Sequence, residues 1–150
     1  LFFRLVVVSG SSMYSTLWDG DWLLVLGNTL YQEPEYGDII VVCKESFNDS
    51  EPIIKRVIAT PGDTLWIEAD GTVFLNGSPL DEPYVQEKAL GECDVEFPYQ
   101  VPENSFFMMG DHRETSIDSR SSVIGCISTD HLIGKILCKF WPLSDFVWLG

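Results

Sequence analysis

Ile53-Ile54-Lys55-Arg56-Val57-Ile58-Ala59-Thr60 sets two cations in the middle of a β-branched apolar run, and Pro61-Gly62-Asp63 stops it. Its length and β-branching predict a strand. Before it stand a second β-branched run, Asp38-Ile39-Ile40-Val41-Val42-Cys43, and an acidic loop over 45–51. Further short strands are predicted at 22–26, after the Asp19-Gly20-Asp21 turn, and at 64–68 and 72–75, which flank Asp70-Gly71, a dipeptide favoured in tight hairpins. Asn76-Gly77 gives another turn; 105–109 and 133–141 complete the set, with Pro142 closing the last strand. Residues 27–35 form a polar loop containing Pro34, and the acidic, proline-bearing stretch 81–100 is assigned to no element. Many short strands separated by turns predict an all-β fold, with coiled antiparallel sheets forming a partly closed, barrel-like core. With 150 residues and no linker or internal repeat, one domain over 1–150 is expected.

Neighbouring side chains of a strand point to opposite faces, so Lys55 shares a face with Ile53 and Val57, and Arg56 shares the other with Ile54 and Ile58. One cation must therefore turn toward apolar surroundings. Arginine keeps its proton in proteins, whereas a desolvated lysine gives it up readily. Of the two, only Lys55 can serve as a general base. A lone strand lysine would otherwise read as a snorkelling or ion-paired side chain.

Two other segments bear on that choice. Ser9-Gly10-Ser11-Ser12-Met13-Tyr14-Ser15-Thr16-Leu17 is a run of small hydroxyl residues beside the apolar lead-in 5–8. A hydroxyl nucleophile needs a tight turn and a bare N–H to hold an oxyanion, and Ser12 is the candidate. By itself the run reads equally as a serine-rich surface loop. Downstream, Gly110-Asp111-His112-Arg113-Glu114-Thr115-Ser116-Ile117-Asp118-Ser119-Arg120 packs acids, arginines and serines together. Asp111, Arg113, Asp118 and Arg120 are expected to form ion pairs that fix this loop. The Ser116 hydroxyl can meet an amine without fixing its charge state.

Composition excludes several functions. Nine Lys and Arg against 23 Asp and Glu give a net charge of −14, which cannot neutralise nucleic-acid phosphates or hold an anionic membrane by electrostatics. The run 1–8 is far short of the roughly 20 apolar residues that cross a bilayer and is broken by Arg4. The chain starts with Leu and reads as a soluble piece of a longer protein. Cys43, Cys93, Cys126 and Cys138 show no zinc spacing, so no metal site is expected. Cys43, Cys126 and Cys138 lie in apolar runs, and Cys93 reads as a loop residue.

The ordered set of Ser12, Lys55 and the full Gly-Asp-x-Arg-x-x-Ser-x-Asp-Ser-Arg pattern resembles the bacterial type I signal peptidases, membrane-anchored serine proteases that remove signal peptides from exported proteins. Gly37-Asp38-Ile39-Ile40-Val41-Val42 and Arg56-Val57-Ile58-Ala59-Thr60-Pro61-Gly62-Asp63 look like the family's intermediate motifs. The resemblance implies a β-rich catalytic core, with room in 61–109 for at most a small cap. It makes Ser12 the nucleophile, Lys55 the general base and Ser116 the residue that holds the lysine. It places Gly10 and Ser11 in the nucleophile loop and gives Arg56 a structural role. No cofactor is implied. The expected partners are signal peptides of preproteins, cut after small residues in an A-x-A-like pattern, and lipid of the outer leaflet. A single transmembrane anchor is expected upstream, with the catalytic domain outside the cell membrane. Met13 and Val57 are candidate walls of the substrate pocket. Leu1, Phe2, Phe3, Phe146, Val147, Trp148 and Leu149 are candidates for a membrane interface.

The chain departs from the family at three positions. Ser15 stands where proline is usual, Gly10 where some members carry a serine that donates to the oxyanion, and His112 where asparagine is common. His112 with Asp111 or Asp118 would allow a serine–histidine–acid triad instead. Self-cleaving serine–lysine repressors share the dyad, and a β-sheet module that binds peptides by strand addition shares the fold. The second accounts for neither the buried lysine nor the loop.

Overall fold

A computed structural model describes residues 2–47 and 50–150. Leu1, assigned above to the interface, lies outside the described residues, as do two positions of the acidic loop 45–51.

The strands run in order as β1 (Phe3–Val7), β2 (Trp22–Gly27), β3 (Ile39–Val42), β4 (Ile53–Ala59), β5 (Thr64–Ile67), β6 (Val73–Leu75), β7 (Ser78–Pro79), β8 (Tyr99–Gln100), β9 (Ser105–Met109), β10 (Ile127–Ser128), β11 (Leu132–Trp141) and β12 (Val147–Trp148). The larger sheet has the order β1-β2-β11-β3-β4-β9-β10, with β12 added to β11. A smaller sheet, β7-β6-β5-β8, is built wholly from the interval between β4 and β9 and forms the cap. All pairings are antiparallel.

The larger sheet is a strongly curled half-barrel. Register shifts mark where it bends: two in β11 against β2, one between Leu132 and Gly134 against β3, and one in β4 between Val57 and Ala59 against β9. A bulge of this kind raises local twist and turns the strand. Gly134 sits at such a bend because a Cβ there would lie 2.2 Å from the Leu26 carbonyl oxygen.

β3 is buried throughout, and its alternate residues serve different cores. Ile39 and Val41 join Val8, Met13, Leu17, Leu23, Val25 and Ile136. Ile40 and Val42 join Phe47, Val57, Phe106, Met108, Ile127 and Leu132. A third core clamps the cap onto the half-barrel, with Ile58, Ala59, Phe107 and Met109 from one sheet meeting Leu65, Ile67 and Val73 from the other. β4 therefore touches all three interiors, and its two cations emerge where they meet.

Strand prediction erred at the short elements. β1 begins at Phe3, earlier than the lead-in suggests, and β7, β8, β10 and β12 have only two residues each. Two residues carry no period, so such pairings depend on neighbours distant in sequence. Most of 81–100 is irregular and forms a strap that ends in β8. All four cysteines are free thiols.

Candidate active site

The nucleophile loop is held by its apolar residues and by its backbone. Met13 and Leu17 are buried in the first core. Between them a tight turn forms, with the Thr16 and Leu17 N–H groups donating to the Met13 carbonyl at 2.8 and 2.9 Å. Upstream, Gly10 adopts φ +93°, the left-handed region that favours glycine, and its N–H donates to Asp19 Oδ1 at 2.8 Å. The Asp19-Gly20-Asp21 turn is tied to the same segment, since the Val8 N–H donates to the Asp21 carbonyl and the Gly20 N–H to the Val8 carbonyl, each at 2.8 Å. Ser12 is thus presented at the rim of a rigid turn. No acceptor among the described residues takes its N–H.

Lys55 enters from β4. Its Nζ lies 2.7 Å from Ser12 Oγ, and this is its one hydrogen bond among the described residues. The residue is 5% exposed. Burial lowers its pKa from 10.5 to about 8; the Asp118 charge opposes this and Arg120 adds to it. Arg56, next along the strand, is nearly as buried but fully compensated. Its Nε and Nη2 donate to Asp111 Oδ1 and Oδ2 at 2.8 and 2.7 Å, Nη1 donates to the Gly37 carbonyl at 2.9 Å, and its Cζ lies 3.9 Å from the centre of the Tyr84 ring.

The loop 110–120 closes over the pair. Asp118 accepts from the Gly110 N–H at 2.9 Å, from Ser116 Oγ at 2.7 Å, and from Arg120 Nε and Nη2 at 2.8 Å each. Of the four charged residues expected to pair within the loop, only Asp118 and Arg120 do so. Asp111 reaches across to Arg56, and Arg113 is held by Glu82 of the strap. The Ser116 hydroxyl donates to Asp118, and no hydrogen bond joins it to Lys55, where the resemblance implied one. Ser116 instead packs against Gly110, where a Cβ would lie 2.2 Å from Ser116 Oγ and 2.5 Å from the Ser12 carbonyl oxygen.

His112 does not reach Ser12 Oγ. Its N–H donates to the Ser12 carbonyl at 3.0 Å, and its Nδ1 lies 3.2 Å from the Ser11 carbonyl oxygen and 3.0 Å from Thr115 Oγ1. The ring stacks on Tyr14 at 5.8 Å. Triad geometry is therefore not assembled, and the imidazole braces the nucleophile loop from behind.

Beside the dyad opens a cleft of about 580 Å³, bounded by Val6 to Met13, by Phe47, Pro52, Ile53 and Ile54, and by Thr115, Ile117, Val123 and Ile124. Met13 lines it. Val57 does not: it is fully buried in the second core, because the Lys55 face of β4 turns inward one residue pair beyond the lysine. Sequence reading also missed Gly110, Glu82 and Tyr84. Only Gly110 carried a signal, as the first residue of the loop motif.

Among the described residues no cluster of ligating side chains could hold a metal ion. The family model for signal peptidase, peptidase S26, matches residues 1–141. The chain is 36% identical to signal peptidase I of Bacillus amyloliquefaciens and 35% identical to signal peptidase I T of Bacillus subtilis, covering 95% of this chain and 76% of each relative. The crystal structure of a signal peptidase I from Enterococcus faecalis superposes with a TM-score of 0.54 at 28% identity, over 69% of this chain and 96% of that one.

The lowered Lys55 pKa implies a stability cost whose sign can be worked out. The unfolded chain holds this proton more tightly than the folded one, so stability is depressed below about pH 8 and recovers as pH rises from about 8 toward 10.5. Lys55→Met should therefore be more stable than wild type at neutral pH, by about 1–3 kcal/mol, with the difference fading at alkaline pH. Thermal unfolding at both pH values checks this. A variant that melts below wild type at neutral pH would contradict it.

Proposed function

The chain belongs to the signal peptidase family S26 and is a serine peptidase that cleaves signal peptides from preproteins, and we propose that Ser12 and Lys55 carry that reaction as a dyad. The observation behind this reading is the 2.7 Å contact between a hydroxyl on a tight turn and a buried amine with no other hydrogen-bond partner among the described residues. Ser12 Oγ attacks the scissile carbonyl carbon while neutral Lys55 takes its proton. The Ser12 N–H, facing no protein acceptor, stabilises the oxyanion. The tetrahedral adduct collapses with loss of the new N-terminal amine of the mature protein, which receives its proton from the Lys55 ammonium. The signal peptide remains as an acyl ester on Ser12. Water, deprotonated by Lys55, then attacks the ester, and the Lys55 ammonium returns that proton to the departing Ser12 Oγ as the signal peptide leaves with a free carboxylate.

Burial makes this feasible at neutral pH. With a pKa near 8 about one lysine in ten is neutral at pH 7, against roughly one in 3,000 for an ordinary lysine, a gain of about 3 kcal/mol. Burial outweighs the opposing charge of Asp118, whose carboxylate is shared among Arg120, Ser116 and the Gly110 N–H. Ser116, Asp111, Arg113 and Arg120 act on the dyad through the loop.

The substrate enters as an extended chain along β1, an edge strand bordering the cleft. Walls of Val8, Met13, Ile53 and Ile54 suit small apolar side chains, in keeping with an A-x-A-like site.

Membrane attachment fits the outer face of the half-barrel. Phe3, Leu5, Val7, Trp22, Trp141, Leu143, Phe146 and Trp148 are all exposed there. Cross-strand pairing of Val7 with Trp22, and of Trp22 with Trp141, puts this apolar surface on one side. Among the described residues no helix is long and apolar enough to cross a membrane. We place this face in the outer leaflet, below an upstream anchor.

The rate of cleavage of an A-x-A peptide should rise with pH through a single ionisation near 8, because the ammonium below that midpoint cannot accept the Ser12 proton. Lys55→Arg should be as inactive as Lys55→Ala, Ser116→Ala should be only partly impaired, and a trapped acyl group should map to Ser12. Near wild-type turnover by Lys55→Arg, or an acyl group on Ser11, would sink the dyad.

His112→Asn should keep most of the activity, since an asparagine amide can donate to the Ser11 carbonyl as the imidazole does. A thousandfold loss, the scale on which triad members matter, would restore the histidine to the chemistry.

Binding to phospholipid vesicles should be insensitive to salt, as expected for apolar insertion by a chain of net charge −14. Release by moderate salt would show that the contact is electrostatic.

A further inference from the structure

The strap 81–100 runs behind the catalytic loop, and it contacts each of the three arginines that organise the site. The Tyr84 ring lies under Arg56, Glu82 holds Arg113, and the Leu90 carbonyl accepts from Arg120 Nη1 at 2.7 Å. Gly91 presses on the same place, where a Cβ would lie 2.4 Å from the Arg113 carbonyl oxygen. Nothing in the proposed chemistry uses these residues directly.

Glu82 has the most direct line to the dyad. Its Oε1 and Oε2 accept from Arg113 Nη1 and Nη2 at 3.1 and 2.6 Å, and Tyr84 Oη donates to Oε2 at 2.8 Å. Both side chains of the ion pair are almost wholly buried. Arg113 then turns its Nε to the Gly110 carbonyl at 2.9 Å. Gly110 is wedged between Ser116 Oγ and the Ser12 backbone with no room for a methyl group, and its N–H donates to Asp118, whose charge acts on Lys55.

We infer that Glu82 is a positioning residue for the Ser12–Lys55 pair, acting through Arg113 and the Gly110 backbone. Without its carboxylate, a buried guanidinium has no hydrogen-bonded anion and must turn toward water, drawing Nε off the Gly110 carbonyl. The loop then backs away from Ser12, and water reaches the amine that the loop covers. Close packing makes this coupling steep, because Gly110 has no slack on either side. Tyr84 supports the same device from two directions, fixing Oε2 of Glu82 and the face of Arg56. The inference rests on the dyad reading above.

The test compares Glu82→Gln, Tyr84→Phe and Lys55→Ala with wild type, and uses Glu87→Gln, an exposed carboxylate of the same strap, as a control. For each variant kcat and KM on an A-x-A peptide are measured across the Lys55 midpoint, together with Tm. Glu82→Gln should lower kcat by about 10- to 100-fold at little-changed KM, the scale expected when reacting groups shift by about an ångström. Its pH midpoint should move up toward the ordinary lysine range as the amine gains water. Tyr84→Phe should shift both quantities the same way by less, and serves as the readout should Glu82→Gln not fold; Glu87→Gln should match wild type. An unmoved midpoint in Glu82→Gln, with activity lost only as Tm falls, would reduce Glu82 to a structural role and overturn the inference. Unchanged kcat beside an inactive Lys55→Ala would overturn it while leaving the dyad intact. An active Lys55→Ala would remove the dyad itself.

Discussion

The desolvated Lys55 amine is the constraint to which the rest of the site answers. Placing an ammonium among apolar side chains is costly, and proteins normally relieve the cost with a carboxylate partner. This fold does so elsewhere: Arg56 has Asp111, Arg113 has Glu82, Arg120 has Asp118, and the buried Lys139 has Asp21 at 3.4 Å. Lys55 alone among these cations faces only a hydroxyl. Asp118, whose charge favours the ammonium, is turned to Arg120 and filled with donors. Burial of the amine outweighs that charge.

Much charge is buried around an amine whose own pKa burial lowers. Buried ion pairs contribute little net stability compared with apolar packing, but they hold atoms in place. Here two of the pairs join parts of the chain far apart in sequence: Arg56–Asp111 fastens β4 to the loop 110–120, and Arg113–Glu82 fastens that loop to the strap. The half-barrel gives direction, the ion pairs fix distance, and Gly110 lets the two backbones meet at that distance.

How legible was this in the sequence? The period of two in β4 put Lys55 and Arg56 on opposite faces, because alternation is a local property of extended chain, and side-chain chemistry rather than the period singled out Lys55. The nucleophile loop and the catalytic loop were legible from residue type. Partners were not. Spacing within 111–120 suggested that its charges pair among themselves, yet Asp111 and Arg113 pair across the fold, since their directions are set by register and by the strap. The partner of Ser116 was unread for the same reason: its hydroxyl donates to Asp118 two residues away. Val57 was placed at the pocket by correct face logic, but the face turns into the core as the sheet curls. Curvature arises from bulges, which leave no periodic trace. β10, β12 and the strap were invisible because two-residue pairings and irregular chain are held by tertiary contacts alone.

Curvature also connects the active site with the proposed membrane face. β1 lies at one end of the curled sheet, so its two sides meet different surroundings. Val6 packs toward the first core, Val6 and Val7 border the cleft, and Phe3 and Leu5 face outward with Trp22 and the aromatic residues around β12. A flat sheet of this order would set its apolar outer face and its catalytic cleft on opposite sides. Because the half-barrel folds back on itself, the edge that would receive an extended substrate is also the edge that would rest at the lipid surface. A signal peptide leaving the bilayer therefore would need only a short extended stretch to bring its cleavage site from the interface to Ser12.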